Sequence, residues 1–356
     1  MTYILAINPG STSTKIALFD RDKEVFTKTL RHTAEEISSF EKVIDQVDFR
    51  EKAISDALKD SGVALKDLSA VVGRGGLLRP IPSGVYAVND DMIKDLKSAC
   101  YGEHASNLGG IIAKRIAEKV GNNCPAFIAD PVVVDELSDI ARVGGHPMFP
   151  RISVFHALNH KAIAKIYAKE HNVDYNSLNL VVAHLGGGVS VAAHCKGRVI
   201  DTNNALYGDG PFSPERSGSI DALHLAKACY SGKYTLEEIE KIISGKGGVV
   251  AHLGTNSFIY VEKRIAEGDK KAELIANAFL YNVAKQIGAM AVALSGKVDA
   301  IIITGGIAYG KGLMKILKDY VSFIAPVEIY PGEDEMGALA GNALAVLDGK
   351  EEVKKY

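Results

Sequence analysis

Two apolar runs separated by a polar turn open the chain. Ile4-Leu5-Ala6-Ile7 leads into Asn8-Pro9-Gly10-Ser11-Thr12-Ser13-Thr14-Lys15, and Ile16-Ala17-Leu18-Phe19 leads out. Short apolar runs bounded by turn residues predict the two strands of a hairpin. The turn gathers backbone N–H groups and hydroxyls at one spot, with Lys15 at its exit. Such a turn suits a phosphate oxyanion, and equally an ordinary hairpin. Residues 24–31 continue as a third strand. Ile37, Phe40, Val43, Ile44 and Val47 recur at helical spacing and predict a helix over 34–61. Residues 67–76 run as a strand into Gly73-Arg74-Gly75-Gly76, where an arginine among glycines could bind a carboxylate or phosphate. Residues 88–120 are mostly helical, with His104 at the join between two helices. Ala126–Ala129 is a short strand ended by Asp130-Pro131, either a carboxylate at a strand end or a plain turn.

The second half repeats this opening. Leu178–Leu185 enters Gly186-Gly187-Gly188, an alternating strand from Val189 to His194 leaves it, and Val199-Ile200-Asp201 follows as a third strand. Two copies of strand, small-residue turn and strand predict a duplicated domain. The junction is expected in or just before the Gly/Pro-rich stretch 142–151. The predicted domains are therefore 1–140 closed by 335–356, and 141–334. A helix opens at Phe155-His156. His156 and His160 share its face, but Ala157 replaces the Glu of H-E-x-x-H and no third ligand is evident, so zinc is not expected. Arg216 lies in a long loop over 208–219, with a helix from about Ile220 capped by Ser217 or Ser219. Helices are predicted over 235–243 and 256–296, the Ala-rich 272–294 being buried. Residues 298–304 form a buried strand into Gly305-Gly306-Ile307. Gly305 to Lys311 fits G-x-x-x-x-G-K, but Gly312 stands where a P-loop needs Ser or Thr. The stretch reads as a glycine turn against a nucleotide or as a tight strand–helix turn. Glu333-Asp334-Glu335 starts the last helix, which serves the helix dipole or a magnesium ion held through water.

Composition narrows the classes. The chain has 356 residues, 47% hydrophobic and 24% charged, which suits two globular domains. A net charge of −2 gives no basic surface for nucleic acid. No apolar run is long enough to span a membrane, and the broken first run does not read as a signal peptide. Cys100, Cys124, Cys195 and Cys229 form no C-x-x-C pair and are expected to be reduced, part-buried thiols in a cytoplasmic protein.

Three glycine turns, two loop arginines, a strand-end Asp and an acidic cluster fit phosphoryl transfer from ATP with Mg2+. Arg74, Arg216 and a histidine would neutralise charge on the moving group. Only Asp130 offers a general base. A carboxylic acid is already ionised at neutral pH and needs none, whereas a hydroxyl acceptor more often does. The rivals are a sugar or other hydroxyl kinase with Asp130 as base, and an ATPase of the actin or chaperone type. The two arginines favour a small anionic substrate over the latter.

At these residues the sequence resembles the acetate kinase family. The resemblance rests on Asn8-x-Gly10-Ser11-x-Ser13-x-Lys15, Phe155-His156, His184-Leu185-Gly186-x-Gly188, Arg216-x-Gly218-Ser219-Ile220-Asp221 and Thr304-Gly305-Gly306-Ile307. Val72-Gly73-Arg74-Gly75-Gly76-Leu77-Leu78-Arg79-Pro80 and Pro331-Gly332-Glu333-Asp334-Glu335-Met336 are similar to its butyrate kinase branch. The resemblance implies an α/β fold of two duplicated ribonuclease-H-like, actin-like ATPase domains around a central ATP cleft. It implies reversible phosphorylation of butyrate, or of acetate or propionate, and a homo-oligomer. Asn8, Ser11, Ser13 and Lys15 would then face phosphates. Arg74 and Arg216 would bind the substrate carboxylate and the moving phosphoryl group, with His156 on the latter and His104 near by. Asn8, Asp130, Asp334 and Glu335 would serve magnesium. His184, Gly186 and Gly188 would line the second phosphate turn, and Gly305, Gly306 and Ile307 the adenosine. Phe155 and Gly76 would line the acid's pocket. Where acetate kinases have Arg-Val-Val, this chain has Arg74-Gly75-Gly76, so Gly76 is expected to leave room for a longer acyl chain. Two further departures are Gly187, where the family has Asn, and Glu333-Asp334-Glu335, where it has Asn-Glu-Glu.

Overall fold

Ile4, Leu5, Ala6 and Ile7 are all fully buried, so their strand is covered on both faces. The computed structural model, which describes residues 1–356, shows that cover. Strands β1 (Tyr3–Pro9), β2 (Ser13–Asp20), β3 (Lys23–Arg31), β4 (Leu68–Arg74), β5 (Val85–Ala87) and β6 (Ala126–Ala129) belong to the first sheet. Leu5, Ile7, Ile16, Leu18 and Val71 pack with Ile54, Leu58, Leu108, Ile112 and Ile116 of the helices Val47–Leu58 and Asn107–Val120. The last helix, Glu335–Leu347, also packs against β1 and β4. Burying each large aliphatic side chain contributes about 1.5–3 kcal/mol.

The second sheet is built from β7 (Asn179–Leu185), β8 (Val189–Cys195), β9 (Arg198–Thr202), β10 (Ala300–Gly305) and β11 (Val327–Pro331). Alternate residues of β7 and β10 divide between two cores. Val181, Ala183, Leu185, Ile301 and Ile303 meet the helix Lys270–Ala293. Leu180, Val182, Ala300 and Ile302 meet the helix Ala157–Glu170. The period of two is the side-chain alternation of a strand buried on both faces.

The two sheets share one plan. The first runs β3-β2-β1-β4-β6, and β5 and the short β12 (Lys354–Lys355) extend it beyond β6. The second runs β9-β8-β7-β10-β11. In each, the first three strands are antiparallel neighbours, and the next two add in parallel. This is the duplicated ribonuclease-H-like α/β fold. Each sheet sits in its own compact unit, Met1–Val134 with Asp334–Tyr356, and Asp135–Glu333. The change of unit falls just ahead of the Gly/Pro-rich stretch 142–151. That stretch is tied to the second unit, where Arg142 pairs with Asp135 at 2.6 Å and Arg151 with Asp201 at 2.8 Å.

Several elements differ from expectation. The helix expected over 34–61 is broken. Its first part, Ala34–Ser38, stops where the Ser38 and Ser39 hydroxyls donate to the carbonyls of Glu35 and Glu36, at 3.1 and 2.7 Å. A 3-10 turn, Val43–Gln46, precedes the main helix Val47–Leu58. Residues 256–296 form two helices, Phe258–Ala266 and Lys270–Ala293, because Asp269 caps the second. The helix after the long loop is Ala222–Cys229, capped by Asp221 rather than by either serine. Cys100 and Cys229 are exposed, whereas Cys124 and Cys195 are half-buried, and all four are free thiols. No helix is long and apolar enough to cross a membrane.

Candidate functional site

A buried arginine holds the β1–β2 turn from behind. Arg50 is fully buried on the helix Val47–Leu58. Its guanidinium donates to the carbonyls of Gly10, Ser13 and Ser11 at 2.8, 2.9 and 3.1 Å, and to the Thr14 hydroxyl at 3.0 Å. Gln46 Oε1 accepts from Arg50 Nε at 3.0 Å. Burial lowers the Arg50 pKa to about 10, which leaves it cationic at neutral pH. Three carbonyls are thus drawn inward, while Ser11 stays exposed and Ser13 half-exposed. Lys15 is exposed on β2, opposite Asn8 in the hairpin register.

Asn8, Arg74 and Glu335 meet in the same unit. Glu335 accepts from Asn8 Nδ2 at 2.5 Å and pairs with Arg74 Nη1 at 2.5 Å. Arg74 ends β4, and the helix Asn107–Val120 presses close against that strand. A Cβ on Gly73 would overlap the Gly109 carbonyl. His104 lies just before this helix. Partial burial of its ring and the Arg74 charge lower its pKa, although much of the residue faces solvent. Its Nδ1 accepts from the Ser106 N–H at 3.1 Å, which leaves the proton of the neutral ring on Nε2. Asp130, at the end of β6, adopts φ +38° and is 3% exposed. Its Oδ1 accepts from the Ser83 hydroxyl at 2.6 Å and the Gly84 N–H at 2.8 Å.

The second unit builds its turn differently. The Gly186 N–H donates to the Gly188 carbonyl at 3.0 Å, and the Ser213 hydroxyl donates to the Gly187 carbonyl at 2.7 Å. A Cβ on Gly188 would occupy the place of the Arg216 guanidinium. Glycine there lets Arg216 run under the turn and donate to the Ala205 carbonyl at 2.6 Å. Burial lowers the Arg216 pKa. Gly305 has φ +92°, and a Cβ on it would overlap the Leu185 carbonyl, so the end of β10 lies directly against the end of β7. Gly306 is exposed, but Ile307 is 7% exposed and belongs to the core. A groove lined by Glu262, Ile265, Ala266, Asn277, Gly312 and Leu313 lies in this unit.

Histidines crowd the same unit. The His156 ring stacks on His184 with centroids 3.9 Å apart. His184 Nδ1 lies 2.8 Å from Asn159 Oδ1, and its Nε2 is 3.7 Å from Glu333. His156 Nδ1 and His160 Nε2 each lie 2.8 Å from the Ser190 hydroxyl, so the i, i+4 pair shares a serine. Phe155 is 2% exposed and meets the His160 ring edge-on at 5.3 Å, as a wall of this cluster.

Comparison with known proteins places these features in a family. The acetokinase family model matches residues 151–325. Butyrate kinase 2 of Clostridium acetobutylicum is 56% identical over 353 residues, 99% of each chain. Butyrate kinase 1 of the same organism is 55% identical over 356 residues, the whole of both chains. A probable butyrate kinase of Bacteroides thetaiotaomicron is 52% identical over 99% of each. The chain belongs to the butyrate kinase branch of the acetokinase family. Solved structures agree on the fold. Porphyromonas gingivalis acetate kinase superposes with TM-score 0.80 at 19% identity, over 98% of this chain and 100% of that one. A Francisella tularensis propionate kinase gives 0.76 at 19% identity, over 96% and 99%.

For this butyrate kinase family member, one sequence expectation needs correction. Gly76 does not leave open room. A Cβ there would lie 2.5 Å from Asn107 Cα, and the Asn107 carboxamide holds the Leu77 N–H at 2.8 Å. The glycine is needed for packing against the helix start. The three acids also separate. Glu335 meets Asn8 and Arg74, Asp334 caps the last helix by accepting from the Gly337 N–H at 2.8 Å, and Glu333 lies near His184. Sequence reasoning missed Arg50, Asn159, Ser190, His194 and Ser213. Ser190 and His194 carried one signal, as polar residues on the same face of an otherwise apolar strand. Arg50 carried none, since it reads as a surface residue of an amphipathic helix.

Proposed function

We propose that this chain transfers the terminal phosphoryl group of ATP to butyrate, giving butyryl phosphate and ADP, and runs in either direction. The state of Asp130 carries this reading. It is the acid best placed in sequence to act as a base, yet it is 3% exposed and its Oδ1 is held by Ser83 and Gly84. A hydroxyl acceptor would call for such a base, whereas an ionised carboxylate needs none. Identity of 52–56% along the full length of butyrate kinases supports the choice of acid.

In this reading Arg74 binds the acid's carboxylate by exchanging Glu335 for it, and neutral His104 stands by as a donor. The carboxylate oxygen forms a bond to the γ-phosphorus as the bond to the β,γ-bridging oxygen breaks, and that electron pair leaves with ADP. Arg216 and His156 offset charge on the moving group. Ser11, Ser13 and Lys15 on one turn, and His184, Gly186 and Gly188 on the other, hold phosphate oxygens. Gly305, Gly306 and the core-anchored Ile307 shape the turn for the adenosine. Mg2+ fits the oxygen donors of Asn8 and Glu335, with Asp334 and Asp130 acting through water. When bound it would neutralise phosphate charge. The enzyme would act in the cytoplasm as a homo-oligomer, a reading supported by Leu274, Tyr281 and Val292, all exposed along one helix.

The test supplies ATP, Mg2+ and straight-chain acids from acetate to hexanoate, and traps acyl phosphate as hydroxamate. The highest kcat/KM is expected at four carbons, with activity on neighbouring acids, since a methylene discriminates by only about 1–3 kcal/mol. No acyl phosphate from any acid would overturn the reading.

A further inference from the structure

Ser190 connects His156 to a row of buried polar groups in the second unit. Tyr175 Oη lies 2.8 Å from His194 Nδ1, and His194 Nε2 lies 3.4 Å from His160 Nδ1. His160 Nε2 and His156 Nδ1 each lie 2.8 Å from Ser190 Oγ. His160, His194 and Ser190 are fully buried, Tyr175 is nearly so, and His156 is half-buried. The His160 and His194 rings are parallel to within 8°. Each nitrogen of the two inner rings faces the next member of the row.

Burial is the main cause that keeps His160 and His194 well below the ordinary imidazole pKa, and the nearby Lys161 ammonium adds to it. Lys161 is itself paired with Glu136 at 2.7 Å. A neutral imidazole has one N–H and one bare nitrogen, so every bond in the row must point the same way. Two orders are possible, and two facts select one. A phenol, with pKa about 10, gives up its proton far more readily than a neutral imidazole, so Tyr175 is the better donor to His194. The Lys161 Nζ lies 6.0 Å from the Tyr175 ring centroid, and a cation there favours an electron-rich phenolic oxygen. The order is then Tyr175 to His194 to His160 to Ser190 to His156 Nδ1. Ser190 Oγ also accepts from the His156 backbone N–H, at 3.4 Å. A hydroxyl accepts twice and donates once, so its proton goes to His156 Nδ1.

We propose that Tyr175, His194, His160 and Ser190 form a one-way hydrogen-bond row that holds His156 as its Nε2–H tautomer, so that Nε2 donates to an anionic phosphoryl oxygen. The four are positioning residues. The role given to Nε2 rests on the function proposed above, but the tautomer does not.

Ring-nitrogen NMR of the 15N-histidine-labelled full chain reads the tautomer, with the His156 signals assigned from His156→Gln. The wild type should show Nε2–H at His156. Ser190→Ala should mix the tautomers and lower kcat about ten- to a hundredfold with KM little changed, as loss of an outer partner does at other sites. Ser190→Thr, which keeps the hydroxyl, should restore both. Tyr175→Phe removes only the first donor and should also mix the tautomers, so it carries the test if Ser190→Ala folds poorly. An Nδ1–H ring at His156 in the wild type, or an unchanged tautomer in both variants, would overturn the row. Wild type that makes no acyl phosphate but shows Nε2–H would remove the functional reading and leave the row standing.

Discussion

The two glycine turns stand at equivalent points of equivalent sheets, yet they are braced by different chemistry. The β1–β2 turn is held by a buried cation. Arg50 draws its carbonyls inward and leaves the hydroxyls of Ser11 and Ser13 on the outer side. The β7–β8 turn is held by a neutral hydroxyl, Ser213, and its glycine makes room for a cation that passes on to Ala205. Arginine therefore braces the first turn directly and only passes beneath the second. A repeated fold reproduces the backbone path of a strand–turn–strand unit but leaves the support of its turn to be solved separately each time.

The largest test of this contrast is Arg50→Met. It leaves the turn's inward carbonyls without donors and should cost about 3–5 kcal/mol, as removal of one partner from a buried charged network does. Urea unfolding measures it, and a loss under 1 kcal/mol would mean that the turn holds its own shape. Gly188→Ala should do the opposite, sparing the fold and damaging the reaction. Its methyl displaces only the end of the flexible Arg216 side chain, so kcat should fall about 10²–10³-fold with little change in Tm.

Gly76→Val should cost about 1–3 kcal/mol through overpacking against Asn107, with no preferential loss for longer acids. A selective loss of kcat/KM for butyrate over acetate would reinstate Gly76 as a wall of the acid's pocket.

Acid should weaken the second unit more than the first. His160 and His194 bind protons in the unfolded chain near pH 6.5 but resist them in the fold. Below that pH the unfolded state takes up more protons, so stability is complete above about 6.5 and falls as pH falls. The slope is about 1.4 kcal/mol per pH unit for each ring. In the first unit, partial burial and the Arg50 charge lower the His32 pKa, a smaller contribution of the same sign. Hydrogen exchange at pH 7, 6 and 5, resolved by unit, would show it. Ser213→Ala should have the smallest effect, about 1 kcal/mol for one lost hydrogen bond to the turn.

Much of the architecture was legible in the sequence because strand burial leaves a direct signature. Ile4–Ile7, Leu180–Ala183 and Ile301–Ile303 are uninterrupted apolar runs, and only strands covered on both faces require them. The glycines were legible too, since Gly305 stands where no side chain fits. The strands that escaped were β11, β5 and β12, the last two being only two or three residues long and formed through their neighbours. The helix over 34–61 was misjudged because spacing shows a face and not the serines that end a helix.

Asn8 and His156 stood out only through the family resemblance; by itself, the sequence determined the duplicated strand–turn–strand plan, the glycine turns, and the two arginines Arg74 and Arg216 in loop settings. Local patterning suffices for these, because period, turn chemistry and lack of a side chain act over a few residues. Only the tertiary structure decided that Arg50 supports the first turn, that Glu335 rather than Asp334 meets Arg74, that Gly76 is filled by Asn107, and that five residues from Tyr175 to His156 and Ser190 form one row. Those contacts join positions 19 to 261 residues apart. Whether a polar group supports, binds or packs depends on what the fold brings to its other side.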